Sequence, residues 1–168
     1  MTDSPLAVES IGDGPPVVLL HAFPYDRAMW GLQRSLASRC RLLLPDLPGF
    51  GDTPACEWMI DAAADRLAAA LDSFGVTDPV AVGGLSLGGY VALAFARRHP
   101  QRLRALVLAD TRAEPDSPEA KAGRAKTAEL AKAGGAVAVF EDAVAKQLRG
   151  RLETGLDTGC RPGPRCRS

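Results

Sequence analysis

One five-residue stretch, Gly84-Leu85-Ser86-Leu87-Gly88, has the residue types and spacing for nucleophilic chemistry. A serine hydroxyl is a weak nucleophile, and it must stand clear of the backbone so that a base and a substrate can both reach it. A sharp strand-to-helix turn lifts it clear, but the turn crowds the positions two before and two after the serine. Glycine occupies both positions here, so the pattern predicts a nucleophilic Ser86. The alternative is an ordinary tight turn with an idle serine.

The segments on either side of Ser86 predict the strand and the helix that such a turn requires. Residues 80–82 form a continuous apolar run, as expected of a strand that is buried on both faces. Residues 90–98 are apolar almost all round and stop before Pro100, which predicts a buried helix. The free N–H groups at the start of that helix would face negative charge that develops on a substrate oxygen.

The rest of the chain repeats this alternation of strands and helices. Apolar runs predict further strands at residues 17–20, 41–44 and 103–109, and helical spacing predicts helices at 28–38 and 60–74. Four strands with three crossovers predict an α/β fold with a mainly parallel sheet flanked by helices. We assign residues 1–115 to this core. Two helices without a strand between them, at 120–133 and 136–148, predict a helical insertion over residues 116–148.

Residues 149–168 differ in composition from the rest and predict an unstructured tail. They hold five Arg against one Glu and one Asp, a net charge of 5 − 2 = +3, with two leucines as the only large apolar side chains. A basic tail for RNA or acidic partners is the alternative, but aromatic side chains for stacking on bases are missing. A frayed or non-native terminus agrees better with this composition.

The overall composition excludes several classes of function. Twenty basic and twenty acidic residues cancel, so no net field attracts nucleic acid or an anionic membrane. Apolar runs are too short to cross a bilayer, and the start of the chain does not resemble a secretory signal, which predicts a cytoplasmic protein. The four cysteines have no metal or redox spacing, so we expect no metal site and free thiols. We expect no cofactor.

The glycine-rich turn at Ser86 is a weak candidate for phosphate binding. A Walker loop needs a lysine after its last glycine, and the chain has no lysine before Lys121. The dinucleotide fingerprint fails as well, because Val17 stands where the third glycine after Gly12 and Gly14 belongs.

Three motifs together resemble the α/β-hydrolase superfamily, in particular its small bacterial members with a helical cap, which include esterases and enol-lactonases. The motifs are His21-Ala22-Phe23-Pro24, the segment Pro-Asp-Leu-Pro-Gly-Phe-Gly-Asp at residues 45–52, and the turn at residues 83–89. They occur in the family's order and spacing, and the resemblance covers residues 12–148. It implies a partial α/β-hydrolase fold in which residues 116–148 begin the cap.

The same resemblance implies a serine hydrolase of carboxylic ester or lactone bonds, whose partner is a small-molecule substrate. The backbone N–H groups of Phe23 and Leu87 would form the oxyanion hole, and Gly84 and Gly88 would flank the nucleophile Ser86. Alternatives are a non-catalytic small-molecule-binding protein, an acyl transferase and a cofactor-free haloperoxidase.

This chain has few residues that could serve as the base and the acid of such a hydrolase. The family's order is serine, acid, then histidine, but the chain has only two histidines. His21 matches the oxyanion loop, and His99 lies at the far end of the helix, about 20 Å from Ser86. Asp110 is a weak candidate for the acid, and a loop residue that caps the next turn agrees better with its position. Asp46 and Asp52 are interpreted as turn formers.

Two expectations follow from these gaps. The chain resembles the N-terminal part of a hydrolase that ends early, after a frameshift or a gene-model error, and it should be inactive or weakly active because it lacks the catalytic histidine. The strand at residues 103–109 should be an unprotected apolar edge, through which the protein self-associates.

Overall fold

A mixed sheet of five strands forms the centre of the first part of the chain. The computed structural model describes residues 5–56 and 59–153. The strands are β1 (Val8–Ile11), β2 (Pro16–Leu20), β3 (Arg41–Pro45), β4 (Val80–Leu85) and β5 (Leu103–Ala109), in the spatial order β1-β3-β2-β4-β5. Strands β2 to β5 run parallel, and β1 pairs antiparallel with β3. The predicted α/β fold with a mainly parallel sheet is confirmed.

The fifth strand corrects the prediction of four. β1 has the sequence Val-Glu-Ser-Ile and a half-buried pattern. It is too short and too polar for an alternation of apolar and polar residues to be recognised in the sequence. Its place is fixed instead by pairing with β3, where Val8 lies opposite Pro45 and Ile11 opposite Leu42.

Helices cover the sheet and connect its strands. They are α1 (Ile60–Ser73) and α2 (Leu87–Arg98), with 3₁₀ stretches at Arg27–Ser38 and Pro100–Arg102. The stretch at Arg27–Ser38, predicted as one helix, is interrupted at Trp30, where ψ is 16°. α2 begins three residues before the predicted start, directly after Ser86.

The core is built from strands that are buried on both faces and from helices rich in small residues. Phe95 of α2 and Leu67 of α1 are almost fully buried against the sheet. Val18 of β2 and Val82 of β4 are 0% exposed, as the continuous apolar runs predict. Both α1 and α2 contribute small buried side chains to this core, the alanines Ala63, Ala64, Ala68, Ala92 and Ala94.

A row of ion pairs joins α1 to α2 and to the 3₁₀ turn that follows. Asp65 binds Arg98 and also lies 2.8 Å from Nε2 of His99, which is the C-cap of α2. Arg97 pairs with Asp61, and Arg102 with Asp72. The hydrogen bond from Arg98, followed by that from His99, lowers the pKa of Asp65. His99 therefore serves the helix end and the α1–α2 contact.

The strand β5 is an edge strand in the part of the chain that the structure describes. It pairs with β4 alone, and Leu106, Val107 and Leu108 are 36%, 61% and 44% exposed. Both faces of β5 are accessible, because consecutive side chains of a strand point to opposite faces. This agrees with the apolar edge that the sequence predicts.

The second part of the chain is helical. The chain divides into two compact units between Pro115 and Asp116, and α3 (Pro118–Glu153) occupies the second. Gly135 interrupts α3 with φ 69° and ψ −167°, close to the predicted break at residues 134–135. The helix runs five residues past the predicted end at 148, so residues 149–153 are helical where the sequence predicts a tail. Arg149, Arg151 and Leu152 favour a helix, although Gly150 between them does not. The rest of the predicted tail, residues 154–168, lies outside the described residues.

None of the helices in residues 5–56 and 59–153 is both long and apolar enough to cross a membrane.

Candidate functional site

Ser86 lies at the junction of β4 and α2, in a backbone conformation that residues other than glycine rarely adopt. Its φ is 50° and its ψ −108°, and the residue is half-buried. Such a conformation costs about 1–3 kcal/mol for a residue with a Cβ, and it persists only where the surroundings enforce it. β4 before it and α2 after it are both packed in the core, so the turn between them is fixed from both sides.

Gly84 and Gly88 occupy positions where no side chain fits. A Cβ on residue 84 would lie 2.3 Å from the carbonyl oxygen of Gly88, so the turn closes on itself at this point. A Cβ on residue 88 would lie 2.2 Å from the carbonyl oxygen of Leu20 at the end of β2. The crowding that the sequence pattern predicts is therefore contact between backbone segments.

The segment after β5 holds the backbone of Ser86 on both sides. The Ser86 N–H donates to the carbonyl of Ala109 at 3.0 Å, and the hydroxyl of Thr111 donates to the Ser86 carbonyl at 3.0 Å. Asp110 stands between these two residues, at φ 44°. The structure thus brings Asp110 next to the strand-to-helix turn at residues 84–88, which we call the elbow. Thr111 was missed by sequence reasoning, because nothing in its type or spacing marks it.

The loop after β2 reaches the same edge of the sheet as the elbow. In the parallel pairing of β2 with β4, Leu20 lies opposite Gly84, so the two strands leave the sheet at the same level. Phe23 follows three residues later, in a turn closed by the Tyr25 N–H on the Ala22 carbonyl at 2.9 Å. Leu87 is the first residue of α2, and the first N–H groups of a helix have no intrahelical acceptor. The Phe23 amide, in the loop after β2, and the Leu87 amide, at the start of α2, therefore lie at the same edge of the sheet.

His21 is a structural residue of the loop after β2. It is 0% exposed, and its Nε2 accepts the Leu47 N–H at 2.9 Å. Because a backbone N–H can only donate, the proton must sit on Nδ1, which lies 3.1 Å from the Ala22 carbonyl. Both ring nitrogens are thereby occupied. Burial lowers the pKa of His21 and keeps the ring neutral.

His21 makes the stability of the protein sensitive to mild acid. Its pKa is lowered in the folded state, so the unfolded chain binds a proton first as the pH falls below about 6.5. The free energy of unfolding should therefore be highest above that pH and fall as the pH decreases, by at most about 1.4 kcal/mol per pH unit from this group. Urea denaturation at a series of pH values measures this slope.

The His21→Gln variant is the control, because an amide oxygen can still accept the Leu47 N–H but does not titrate in this range. Its stability should change less with pH between neutral and mildly acidic buffer. Equal slopes in the two proteins would contradict the role assigned to His21.

Asp46 has a larger role than the turn-forming one that the sequence predicts. Its side chain is 1% exposed and pairs with the guanidinium of Arg27. Its Oδ1 also accepts the Arg27 N–H at 2.8 Å, and Oδ2 accepts the Asp52 N–H at 2.9 Å. A buried carboxylate is tolerated only with such partners. Gly51 passes so close that a Cβ there would lie 2.1 Å from Oδ2.

Asp46 and His21 together join the loop after β3 to the loop after β2. Phe50 adds ring contacts, with its centroid 5.2 Å from that of His21 and 6.0 Å from that of Phe23. Phe23 is 44% exposed, so part of this residue stays accessible beside the site. The loop that carries the Phe23 amide is thus fixed by an ion pair, a buried hydrogen bond and aromatic packing.

A family model, curated relatives and solved structures all relate this chain to hydrolases of the α/β fold. A family model described as the alpha/beta hydrolase fold matches residues 15–159. A pimeloyl-[acyl-carrier protein] methyl ester esterase from Aeromonas hydrophila is 41% identical over 106 residues, which are 61% of this chain and 40% of that protein. The structure of a thermophilic esterase from Thermogutta terrifontis superposes with a TM-score of 0.79 at 43% identity, over 88% of this chain and 57% of that one.

The enol-lactonase of Burkholderia xenovorans LB400 is a further structural relative, with a TM-score of 0.73 at 27% identity over 83% of this chain and 55% of its own. The chain spans about two-fifths of the length of the curated relatives it matches first.

Proposed function

The chain belongs to the α/β-hydrolase fold family, and from this premise we propose that it carries the nucleophile and the oxyanion hole of a serine hydrolase of carboxylic esters. The resemblance that its three motifs indicate is confirmed. The single observation that carries the proposal is the strained conformation of Ser86 between two glycines that have no room for a side chain. Strain of this kind is typical of residues that take part in chemistry.

The proposed reaction begins with Ser86 Oγ at the ester carbonyl carbon. A bond forms between Oγ and that carbon, the Oγ proton passes to a base, and the carbonyl oxygen becomes an oxyanion. The Phe23 and Leu87 N–H groups would stabilise this oxyanion, and each such donor is worth about 10²–10³ in rate. The alcohol then leaves with a proton, and water releases the acid from Ser86. A lactone would react through the same intermediate.

The base is the missing part of the proposed mechanism. The ring of His21 is buried with both nitrogens occupied, and His99 is at the far end of the twelve-residue helix α2, paired with Asp65. We therefore expect only the weak activity that an oxyanion hole and binding supply. Asp110 stays the candidate acid, because it lies beside the elbow and could orient a base placed over Ser86.

The substrate class is proposed from the relatives. Several of them are named pimeloyl-[acyl-carrier protein] methyl ester esterases, and one solved relative is an enol-lactonase. We propose a methyl ester of an aliphatic acid as the first substrate to examine, with an apolar group lying against the exposed part of Phe23. A non-catalytic binding protein is the second candidate, and the placement of the two histidines favours it.

Chemical modification of Ser86 tests the proposed function without requiring turnover. An alkyl fluorophosphonate should form a bond between Ser86 Oγ and phosphorus, with loss of fluoride and transfer of the Oγ proton to the base. Imidazole, added at millimolar concentration, supplies the base for Ser86, a role that neither His21 nor His99 can fill. We expect slow labelling of the wild-type protein, faster labelling with imidazole, and no labelling of Ser86→Ala, as measured by intact mass.

The outcomes separate the two candidate functions. Imidazole-dependent labelling that is lost in Ser86→Ala supports a hydrolase nucleophile. Labelling elsewhere, or none in either condition, supports the binding protein. Fast labelling and ester hydrolysis without imidazole would show that the chain has a base of its own and would contradict the expected weak activity.

A further inference from the structure

The loop after β5 contributes a hydroxyl that the proposed mechanism does not use. Thr111 is half-buried, and its Oγ1 donates to the Ser86 carbonyl at 3.0 Å. Its side chain is packed so closely against Gly89 that a Cβ on residue 89 would lie 2.5 Å from the Thr111 methyl group. This packing restricts the side chain of Thr111 and holds the hydroxyl toward the elbow.

The carbonyl that Thr111 binds belongs to the same peptide group as the Leu87 N–H. A peptide group is planar and trans, so its C=O and N–H point in opposite directions and turn together. A hydrogen bond that fixes the Ser86 oxygen therefore also fixes the direction of the Leu87 N–H. That N–H is one of the two donors proposed for the oxyanion hole.

The other bonds at this carbonyl do not replace the one from Thr111. The N–H groups of Gly89 and Tyr90 donate to it at 2.9 and 3.3 Å, and both belong to the first turn of α2. They connect the carbonyl to its own helix. Thr111 connects it to β5, beside Ala109, which binds the Ser86 N–H. Together Ala109 and Thr111 hold the two peptide groups on either side of the strained residue.

We propose that Thr111 is a positioning residue that orients and polarises the Ser86–Leu87 peptide group, so that its N–H stabilises the oxyanion. The inference rests on the proposed function. A bond to the carbonyl oxygen draws electrons from the peptide and makes its N–H a better donor, by about 10–30% per bond in cooperative networks. Thr111 acts through Leu87 and has no contact with substrate in this proposal.

Two substitutions separate the hydroxyl from the shape of the side chain. Thr111→Val keeps the branched shape against Gly89 and removes the hydrogen bond to Ser86. Thr111→Ser keeps the hydroxyl and removes the methyl group. With imidazole present, the maximal rate of phosphonylation of Ser86 should fall about 10-fold in Thr111→Val, a smaller effect than the loss of a whole oxyanion-hole donor. In Thr111→Ser the rate should stay near that of the wild-type protein. The half-saturating concentration of the reagent should not change, because additional negative charge builds up on the phosphonyl oxygen only as the bond to Ser86 Oγ forms.

The backbone amide resonance of Leu87 gives a readout that does not depend on reactivity. Its ¹H and ¹⁵N shifts should move in Thr111→Val and stay close to wild type in Thr111→Ser. If the wild-type protein does not react at Ser86 but these shifts behave as expected, the proposed function fails and the orientation of the peptide by Thr111 stands. Unchanged rate and shifts in Thr111→Val, or equal losses in the two variants, would overturn the inference.

Discussion

Replacing Gly88 by alanine should destabilise the folded protein severely. The new Cβ would lie 2.2 Å from the carbonyl oxygen of Leu20 and 2.8 Å from that of His21, and both are backbone atoms at the end of the central strand β2. Neither can move without disturbing the pairing of β2 with β3 and β4. We expect a loss of at least about 3 kcal/mol, since overpacking of a filled site usually costs 1–3 kcal/mol even where side chains can adjust. That loss is a large part of the 5–15 kcal/mol of a typical domain.

Gly31 provides the matched control for this substitution. It lies in the 3₁₀ stretch of the same unit, and a Cβ there would meet nothing within 4 Å. Gly31→Ala should stay within about 1 kcal/mol of the wild-type protein. Urea denaturation and the yield of soluble protein measure both variants. A stable Gly88→Ala protein would show that the elbow and the loop after β2 are not packed as described.

The second large effect concerns the exposed edge of the sheet. We propose that the protein self-associates through β5, because the edge of β5 that has no neighbouring strand among residues 5–56 and 59–153 offers its N–H and C=O groups to another chain. The one charged residue of β5 is Arg104, and the strand continues with the apolar residues Leu106, Val107 and Leu108. The protein should elute from size-exclusion chromatography above its monomer mass of 17.6 kDa, with a share of larger species that grows with concentration.

A lysine on this edge should reverse the association. Val107 is 61% exposed, so Val107→Lys should leave the fold intact while its charge opposes pairing. Val137→Lys is the matched control, because Val137 is 69% exposed and belongs to the helical unit. The first variant should elute as a monomer and the second like the wild-type protein. A wild-type monomer at every concentration, with cooperative melting, would refute association through β5.

The sequence predicts the parts of this fold that are determined locally. Buried parallel strands appear as continuous apolar runs, and β5 has the predicted bounds of residues 103–109. Glycines two residues on either side of Ser86 predict a crowded turn, and the structure has one there. The apolar run of a strand and the closure of the turn between Gly84 and Gly88 involve neighbours within a few residues, so their patterns are visible in the chain itself. The contact of Gly88 with Leu20 is not local in this sense.

Features that depend on distant partners are not visible in this way. β1 forms because β3 offers it an edge. Asp46 carries a buried charge because Arg27, nineteen residues earlier, neutralises it. Thr111 reaches the Ser86 carbonyl across 25 positions of the chain. The resemblance to a family placed His21 in a structural role, but its hydrogen bond to Leu47 emerges only when β2 and β3 are side by side.

The backbone at residue 86 also bears on how such a protein would change over generations. Glycine adopts a φ of 50° without the penalty that serine pays, so a glycine at this position would make the fold easier to maintain. A lineage that no longer used the hydroxyl would gain stability by this exchange and lose nothing. The serine and its chemistry would therefore be expected to disappear together, long before the strand, the helix and the flanking glycines show any trace of the loss.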